Sequence, residues 1–206
     1  MAPFVEQEFL PSIPNDTSIE RIGQIQKLYF QRTFSTGVTK NTIANPDKKA
    51  SWTPLLTAID GTKVSVTPYI SEPTNEAGEA RTYGGGNATL NGIAIRLGRG
   101  AAPFKAKLLE IKQGVVKELK KLEGETLSVI TVNEYGKLIM KKDGADYMGF
   151  PIRQLYIGDK KLGGYEEVDA NMIEFSFNPS WSDDLVIVDP DDFDPLTDLE
   201  NPTGSD

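Results

Sequence analysis

Pro103-Phe104-Lys105-Ala106-Lys107-Leu108-Leu109-Glu110-Ile111-Lys112-Gln113-Gly114-Val115-Val116-Lys117-Glu118-Leu119-Lys120-Lys121-Leu122 is the most strongly patterned run in this chain, and its reading decides what covers the flanking strands. Phe104, Leu108, Ile111, Val115, Leu119 and Leu122 recur at steps of three and four, with Lys105, Lys107, Lys112, Lys117, Lys120 and Lys121 on the other faces. That is the pattern of an amphipathic helix with one apolar stripe. Pro103 suits a first helical position, where its missing N–H has no partner in any case, and Gly124 suits the stop. The spacing predicts a single helix over 103–123 laid on a sheet. An interior glycine costs about 1 kcal/mol relative to alanine, so Gly114 calls for a close backbone approach or a bend.

On both sides of this run the period changes to two. Lys63-Val64-Ser65-Val66-Thr67 alternates after the turn Asp60-Gly61 and stops at Pro68, and Leu90 to Leu97 alternates through Ile93, Ile95 and Leu97. Beyond the helix, Leu127 to Val132 and Lys137 to Lys142 flank the turn Asn133-Glu134-Tyr135-Gly136, the clearest hairpin in the chain. Phe150 to Ile157, Asn171 to Phe177 and Leu185 to Val188 follow as strands. Upstream, Ile19, Ile22, Ile25 and Leu28 have a helix-like spacing behind possible caps at Asp16, Thr17 or Ser18, but Leu28 to Phe34 reads as a strand. Residues 71–86, rich in Pro, Thr, Glu and Gly, read as a long mobile loop or hairpin tip.

The expected organisation is one mainly β domain. Residues 1–50 form an N-terminal arm with the first strand, 51–188 a β-rich core carrying the helix, and 189–206 an acidic C-terminal tail. At 206 residues the chain can bury a substantial core. Nothing in it approaches the roughly 18 consecutive apolar residues of a membrane helix, and its first residues lack the basic start of an export signal. A soluble protein without a membrane role is expected.

The chain contains neither histidine nor cysteine. These side chains supply most soft-metal ligands, most proton shuttling near neutral pH and every thiolate nucleophile, so the balance moves from enzyme to structural or binding protein. Charge is unevenly placed. Of the formal charge of -8, essentially all lies after residue 182, where nine acids (Asp183, Asp184, Asp189, Asp191, Asp192, Asp194, Asp198, Glu200 and Asp206) meet no Lys or Arg. Such a tail either solubilises the chain or contacts a basic surface on a neighbouring subunit.

Candidate chemistry is thin. Gly84-Gly85-Gly86 leads to Asn87-Ala88-Thr89 and a strand, without the Lys and helix of a phosphate loop. The Asp189, Asp191, Asp192 and Asp194 cluster lacks the glycine and terminal Glu of a calcium loop and is interrupted by Pro190 and Pro195. No cofactor or metal is expected. Trp52, Tyr69, Tyr83, Phe150, Tyr156, Phe175, Phe177 and Trp181 raise a second reading, a single-stranded DNA-binding protein that stacks bases and carries an acidic C-terminal tail. A body of net charge close to neutral weakens it, and a core role for most of these rings is the simpler expectation.

The stretches Tyr29-Phe30-Gln31-Arg32, Ala50-Ser51-Trp52-Thr53-Pro54-Leu55-Leu56, Asp60-Gly61-Thr62-Lys63-Val64, Gly84-Gly85-Gly86-Asn87 and Asn178-Pro179-Ser180-Trp181-Ser182-Asp183 resemble those of virion structural proteins of tailed bacteriophages. The order of strands, one helix and strands is similar to the tail-tube fold. That resemblance implies a β-sandwich or barrel with one flanking helix, whose copies assemble as hexameric rings stacked around a passage for double-stranded DNA. It implies no enzymatic activity, and a virion protein made in the host bacterial cytoplasm. Ring-to-ring contacts would come from the 71–86 loop, with Tyr83, Gly84, Gly85, Gly86 and Asn87 as contact residues, and acids would line the lumen so that DNA slides without specific binding. Asp189, Asp191, Asp192, Asp194, Asp198 and Glu200 form the acidic arm. Copies of the chain and other virion proteins are the implied partners, with a capsid decoration or connector role as the alternative.

Overall fold

The computed structural model describes residues 12–16 and 18–201. Its strands are β1 (Ile25–Arg32), β2 (Phe34–Thr36), β3 (Thr39–Lys40), β4 (Val64–Val66), β5 (Ser71–Asn75), β6 (Ala80–Tyr83), β7 (Ile95–Arg99), β8 (Ala102–Leu109), β9 (Leu127–Asn133), β10 (Leu138–Asp143), β11 (Asp146–Met148), β12 (Phe150–Ile157), β13 (Ala170–Phe177) and β14 (Leu185–Val188). Two helices join them, α1 (Lys49–Thr57) and α2 (Gln113–Lys120). The chain is mainly β, as its period-two runs predict.

β9 is the hub. β1 runs antiparallel along its whole length, from Ile25 opposite Asn133 to Arg32 opposite Leu127. Its other edge is shared, β10 pairing at Val132 and Thr131 and β12 at Val129 and Ser128. β12 then bulges between Arg153 and Tyr156 and leaves β9 for β13, so that the strand path continues through β13 and β8 to β5. A bulge bends a strand and strengthens its twist, which lets one strand serve two parts of the sheet.

All seven residues of β9 are buried. Leu28 and Phe30 of β1 and Leu127 and Val129 of β9 face one core with Phe104, Leu108, Phe150, Ile173, Phe175 and Phe177. Tyr29, Ile130, Val132, Leu138 and Met140 face a second core on the opposite side. Aromatic packing carries much of the first core: Phe104 stacks on Phe175 at 4.7 Å between ring centres, and Phe177 stacks on Trp181 at 4.4 Å.

The run expected as a helix over 103–123 is not one element. Its first half is β8, in which Phe104, Ala106 and Leu108 are buried while Lys105 and Lys107 alternate with them, Lys105 lying opposite Glu174 and Lys107 opposite Met172 on β13. Glu110, at a left-handed φ of 51°, ends the strand, and only then does α2 begin. In place of the single long helix there are, among the described residues, two short α-helices, α1 far upstream and α2 in the second half of the run. Residues 104 and 108 satisfy both periods, and the pairing of Lys105 with Glu174 across the strands at 3.6 Å favours the extended form. α2 buries Val116 and Leu119, while Val115 is 37% exposed. Gly114 sits in its first turn, where a side chain would meet open space, so neither a close approach nor a bend explains it.

α1 lies in the stretch expected to turn to strands. Its Trp52 is fully buried in the second core and donates its indole N–H to the Pro46 carbonyl at 2.9 Å. Residues 189–201, expected as a tail, run across the same core: Leu199 is buried among its residues, with Phe193 and Leu196 packed against it. The Tyr29 hydroxyl donates to the Pro195 carbonyl and that of Tyr69 to the Leu196 carbonyl at 3.2 Å. Asn201 completes the strap, its side chain accepting from the Val66 N–H at 2.9 Å and donating to the Val66 carbonyl at 2.6 Å, as a neighbouring strand would.

Leu119→Ala is expected to cost about 2–5 kcal/mol in denaturant unfolding, and Val115→Ala to stay within about 0.5 kcal/mol of zero. Leu199→Ala is likewise expected to cost about 2–5 kcal/mol, against near-neutrality for a free tail. Burial, reinforced by the nearby Asp194 carboxylate, pushes the Tyr29 phenol far above the tyrosine range. The raised value favours the neutral phenol in the folded state, so its contribution to stability is complete below about pH 10, the unfolded value, and is lost as pH rises beyond it. In a phenolate absorbance titration the Tyr29 phenol should stay protonated until alkaline unfolding, and Tyr29→Phe should remove that late fraction.

Candidate assembly surfaces

β5 and β8 pair from Ser71 opposite Lys107 to Asn75 opposite Phe104, and the ladder carries on outward through Glu76 N–H to Pro103 O at 3.0 Å and Gly100 N–H to Glu79 O at 2.7 Å. It leads into a two-stranded hairpin, β6 against β7. Residues 71–86 are thus a strand, a hairpin arm and the start of its tip: the hairpin tip expected there is present, and the long mobile loop is replaced by β5 and β6. The alternating set Ile93, Ile95 and Leu97 is not a core face. These residues are 68%, 55% and 66% exposed, and Tyr83, directly opposite Ile95, is 60% exposed. Their exposure and close spacing make them a candidate interaction surface.

The tip is built by local constraint. Gly84, Gly85 and Gly86 take φ of 76°, 107° and 56°, in the left-handed region that glycine enters at little cost. A Cβ on Gly84 would lie 2.1 Å from the Thr89 methyl. The Thr89 hydroxyl accepts from the Gly85 N–H at 3.1 Å and donates to the Ile93 carbonyl at 2.6 Å, and Asn87 sits in the 3-10 turn that follows. The Ala88 and Gly92 N–H groups bond to the Gly85 and Thr89 carbonyls. The Gly85, Ala88 and Gly92 donors are thus spent inside the loop.

The hairpin also has a charge character of its own. Arg81, Arg96 and Arg99, half of the six arginines in the chain, lie between residues 80 and 99 with no acid among them. Arg99 donates to the Ser180 hydroxyl at 3.1 Å, and among the described residues Arg81 and Arg96 form no ion pair. The sequence carries this signal as an arginine cluster in a chain whose other basic residues are mostly lysine.

The acids of the strap are scattered over separate partners. Asp189 pairs with Lys137 at 2.8 Å, Asp191 with Lys48 at 2.6 Å and Asp198 with Lys49 at 3.7 Å. Asp192 accepts the Lys49 N–H at 2.8 Å, placing a carboxylate at the start of α1, where Lys48 supplies no side-chain cap. Asp194 accepts the Leu196 N–H at 2.8 Å, and Glu200 has no ion-pair partner among the described residues. The Asp191 hydrogen bond raises the Lys48 ammonium, and the Asp194 N–H lowers the Asp198 carboxyl. Burial lowers the Lys27 ammonium against the opposing pull of Glu200 and Asp194. Among the described residues no group of three or more acids could hold a metal ion.

Of the rings that suggest base stacking, Trp52, Phe150, Phe175 and Phe177 are buried in the two cores, and Trp181 packs against Phe177 and Phe150. Tyr69, Tyr83 and Tyr156 are exposed, but they stand on separate elements, just after β4, at the end of β6 and in β12. No stacking platform is assembled from them.

No family model and no curated protein matches this chain. Among solved structures, a chain of the virion of a native gene transfer agent particle is similar over 57% of this chain and 81% of its own, with a TM-score of 0.31 and 10% identity. A chain of the anti-feeding prophage baseplate, determined by cryo-electron microscopy, is similar over 84% of this chain and 98% of its own, with a TM-score of 0.31 and 9% identity. Overlaps this loose leave the functional reading to rest on the surfaces described above.

Proposed function

We propose that this chain is a non-enzymatic structural subunit of a tailed-phage-type particle, a tail tube protein whose copies assemble into stacked rings around a passage for double-stranded DNA. The observation that carries the reading is the β6/β7 hairpin, an apolar two-stranded arm held out from the body with its large side chains in solvent. An isolated hairpin is at best marginally stable in water, and exposed strand edges invite pairing with another chain. A second copy removes both problems. Tyr83, Gly84, Gly85, Gly86 and Asn87 then sit at the contact as its rigid tip, and Tyr83, Ile93, Ile95 and Leu97 supply the buried area.

In this reading other virion proteins meet the ends of the tube, and the protein resides in the virion after synthesis in the host cytoplasm. Asp192, Asp194 and Glu200, which form no ion pair among the described residues, leave a negative face that double-stranded DNA passes without adhering. A contact between two different surfaces of identical subunits closes into rings or runs on as a filament, depending on the rotation it imposes.

Electron microscopy of the purified protein at high concentration is expected to show rings or tubes of uniform bore, and a strictly monomeric species under all conditions would overturn the proposal. The Ile95→Asp, Leu97→Asp double variant is expected to stay monomeric in light scattering. Because both side chains are solvent-exposed, its melting temperature should remain close to that of the parent chain.

A further inference from the structure

The larger core is open at one end. A cleft of about 460 Å³ enters it, with Phe104, Ile139, Phe177 and Trp181 in its wall and Asn75 at its lip. Phe104, Ile139 and Phe177 are core residues almost wholly withdrawn from solvent, so the cleft leads directly to the interior. The far side, Ile22 to Ile25, is pinned: the Asn133 side chain donates to the Ile22 carbonyl at 2.5 Å, and the Glu134 carboxylate accepts the Gln24 N–H at 3.2 Å. An apolar opening with fixed walls accepts apolar side chains.

The chain's own exposed apolar residues are carried past it. Asn75 and Phe104 pair across β5 and β8 at the cleft, and the same ladder runs outward through Glu76, Glu79 and Gly100 into β6 and β7. At about 3.3 Å per strand residue, Tyr83 stands up to 25 Å along that ladder from Asn75. Arg99 bonds to Ser180, next to Trp181 in the sequence, so the base of the arm is fixed beside the cleft while its apolar end lies beyond it.

We propose that the cleft receives the β6/β7 hairpin of a second copy. The inference rests on the assembly reading above and names the surface on which the arm seats. Tyr83 and Ile95 lie directly opposite each other on one face of the ribbon, and Arg81, two residues before Tyr83, belongs to that face. The charge beside the cleft is of the other sign. Glu76, next to Asn75, and Glu134, bonded to Gln24, form no ion pair among the described residues, and Arg21 beside Ile22 is offset by Glu20. Seating the arm therefore buries an apolar pair against an aromatic wall and sets an unpaired arginine beside unpaired carboxylates. A standard interface uses roughly 20–30 residues a side, and the arm from residue 80 to residue 99 is of that length. Every copy carries both an arm and a cleft, so each one gives and receives, and the contact repeats from copy to copy.

Two variants split the contact into its halves. Asn75→Arg sets a long cation at the exposed lip of the cleft, and Ile95→Asp, Leu97→Asp disables the arm. In light scattering each variant alone is expected to need about tenfold or more higher concentration to assemble than the parent chain. An equal mixture of the two should form a dimer and stop there, because the intact arm of the first fits the intact cleft of the second. Unchanged acrylamide quenching of the buried Trp52 shows that both variants are folded. Assembly of Asn75→Arg at the parent's concentration, or a mixture that stays monomeric, would overturn the inference and leave the assembly reading standing. A parent chain that never assembles removes both. A photoreactive phenylalanine at position 83 of the otherwise intact chain gives a measurement without a disruptive variant. In mixed light- and heavy-isotope subunits, crosslinks from position 83 to Phe104, Phe177 or Trp181 of another copy support the assignment, and crosslinks confined to other residues or to the same chain refute it.

Discussion

The fold depends on β9 being buried on both faces. A strand that borders water on one side alternates inward and outward residues, but Leu127 to Asn133 are buried throughout, so one layer of packing cannot satisfy it. The first cover is the β12, β13 and β8 part of the sheet with α2, and the second is α1 with residues 189–199. Burial on both sides also obliges the polar members of the strand to find partners. Ser128 donates to the Gln31 carbonyl, and the Asn133 side chain holds the Ile22 carbonyl and the Tyr135 and Lys137 N–H groups. Asn133 thereby fixes both the β9–β10 turn and the point at which the N-terminal segment arrives.

The strands around β9 are legible because their signals are local. The turn Asn133-Glu134-Tyr135-Gly136 sets the β9–β10 hairpin, and β12, β13 and β14 occur where alternating apolar runs place them. The helix over 103–123 is misleading because residues 104 and 108 lie four apart, a helical step that is also two strand repeats. What separates the two readings is Ala106, which is buried midway between them while the lysines on either side are not. α1 is hidden by the opposite problem. Ser51, Thr53 and Pro54 are poor helix residues, and the element is held by what Trp52 and Leu56 bury rather than by its own propensity.

The strap is obscured by its charge. Nine acids after residue 182 read as a solvated tail, yet Phe193, Leu196 and Leu199 recur every three residues between them, and that spacing is the part that packs. Each individual ion pair is exposed and contributes little, so the lysines position the strap while its three apolar side chains hold it. At the candidate contact surface the glycine tip is legible, because glycine accepts those dihedrals without strain. The exposure of Ile93, Ile95 and Leu97 is not: alternation reveals that a strand has an apolar face and is silent on whether this chain or another covers it.

That silence bears on the charge balance of the proposed contact. With Asp189, Asp191 and Asp198 paired to lysines of the same chain and Arg99 facing Ser180 and Asp183, Arg81 and Arg96 are the positive charge of the hairpin that forms no ion pair among the described residues. Two hairpins of the same sign brought together would repel across their arginines. A hairpin meeting the body of another copy exchanges like charge for unlike charge and buries its apolar residues in one step. The favoured contact is then between different surfaces of two copies, and such a contact propagates instead of ending at a pair, which is the geometry a tube requires.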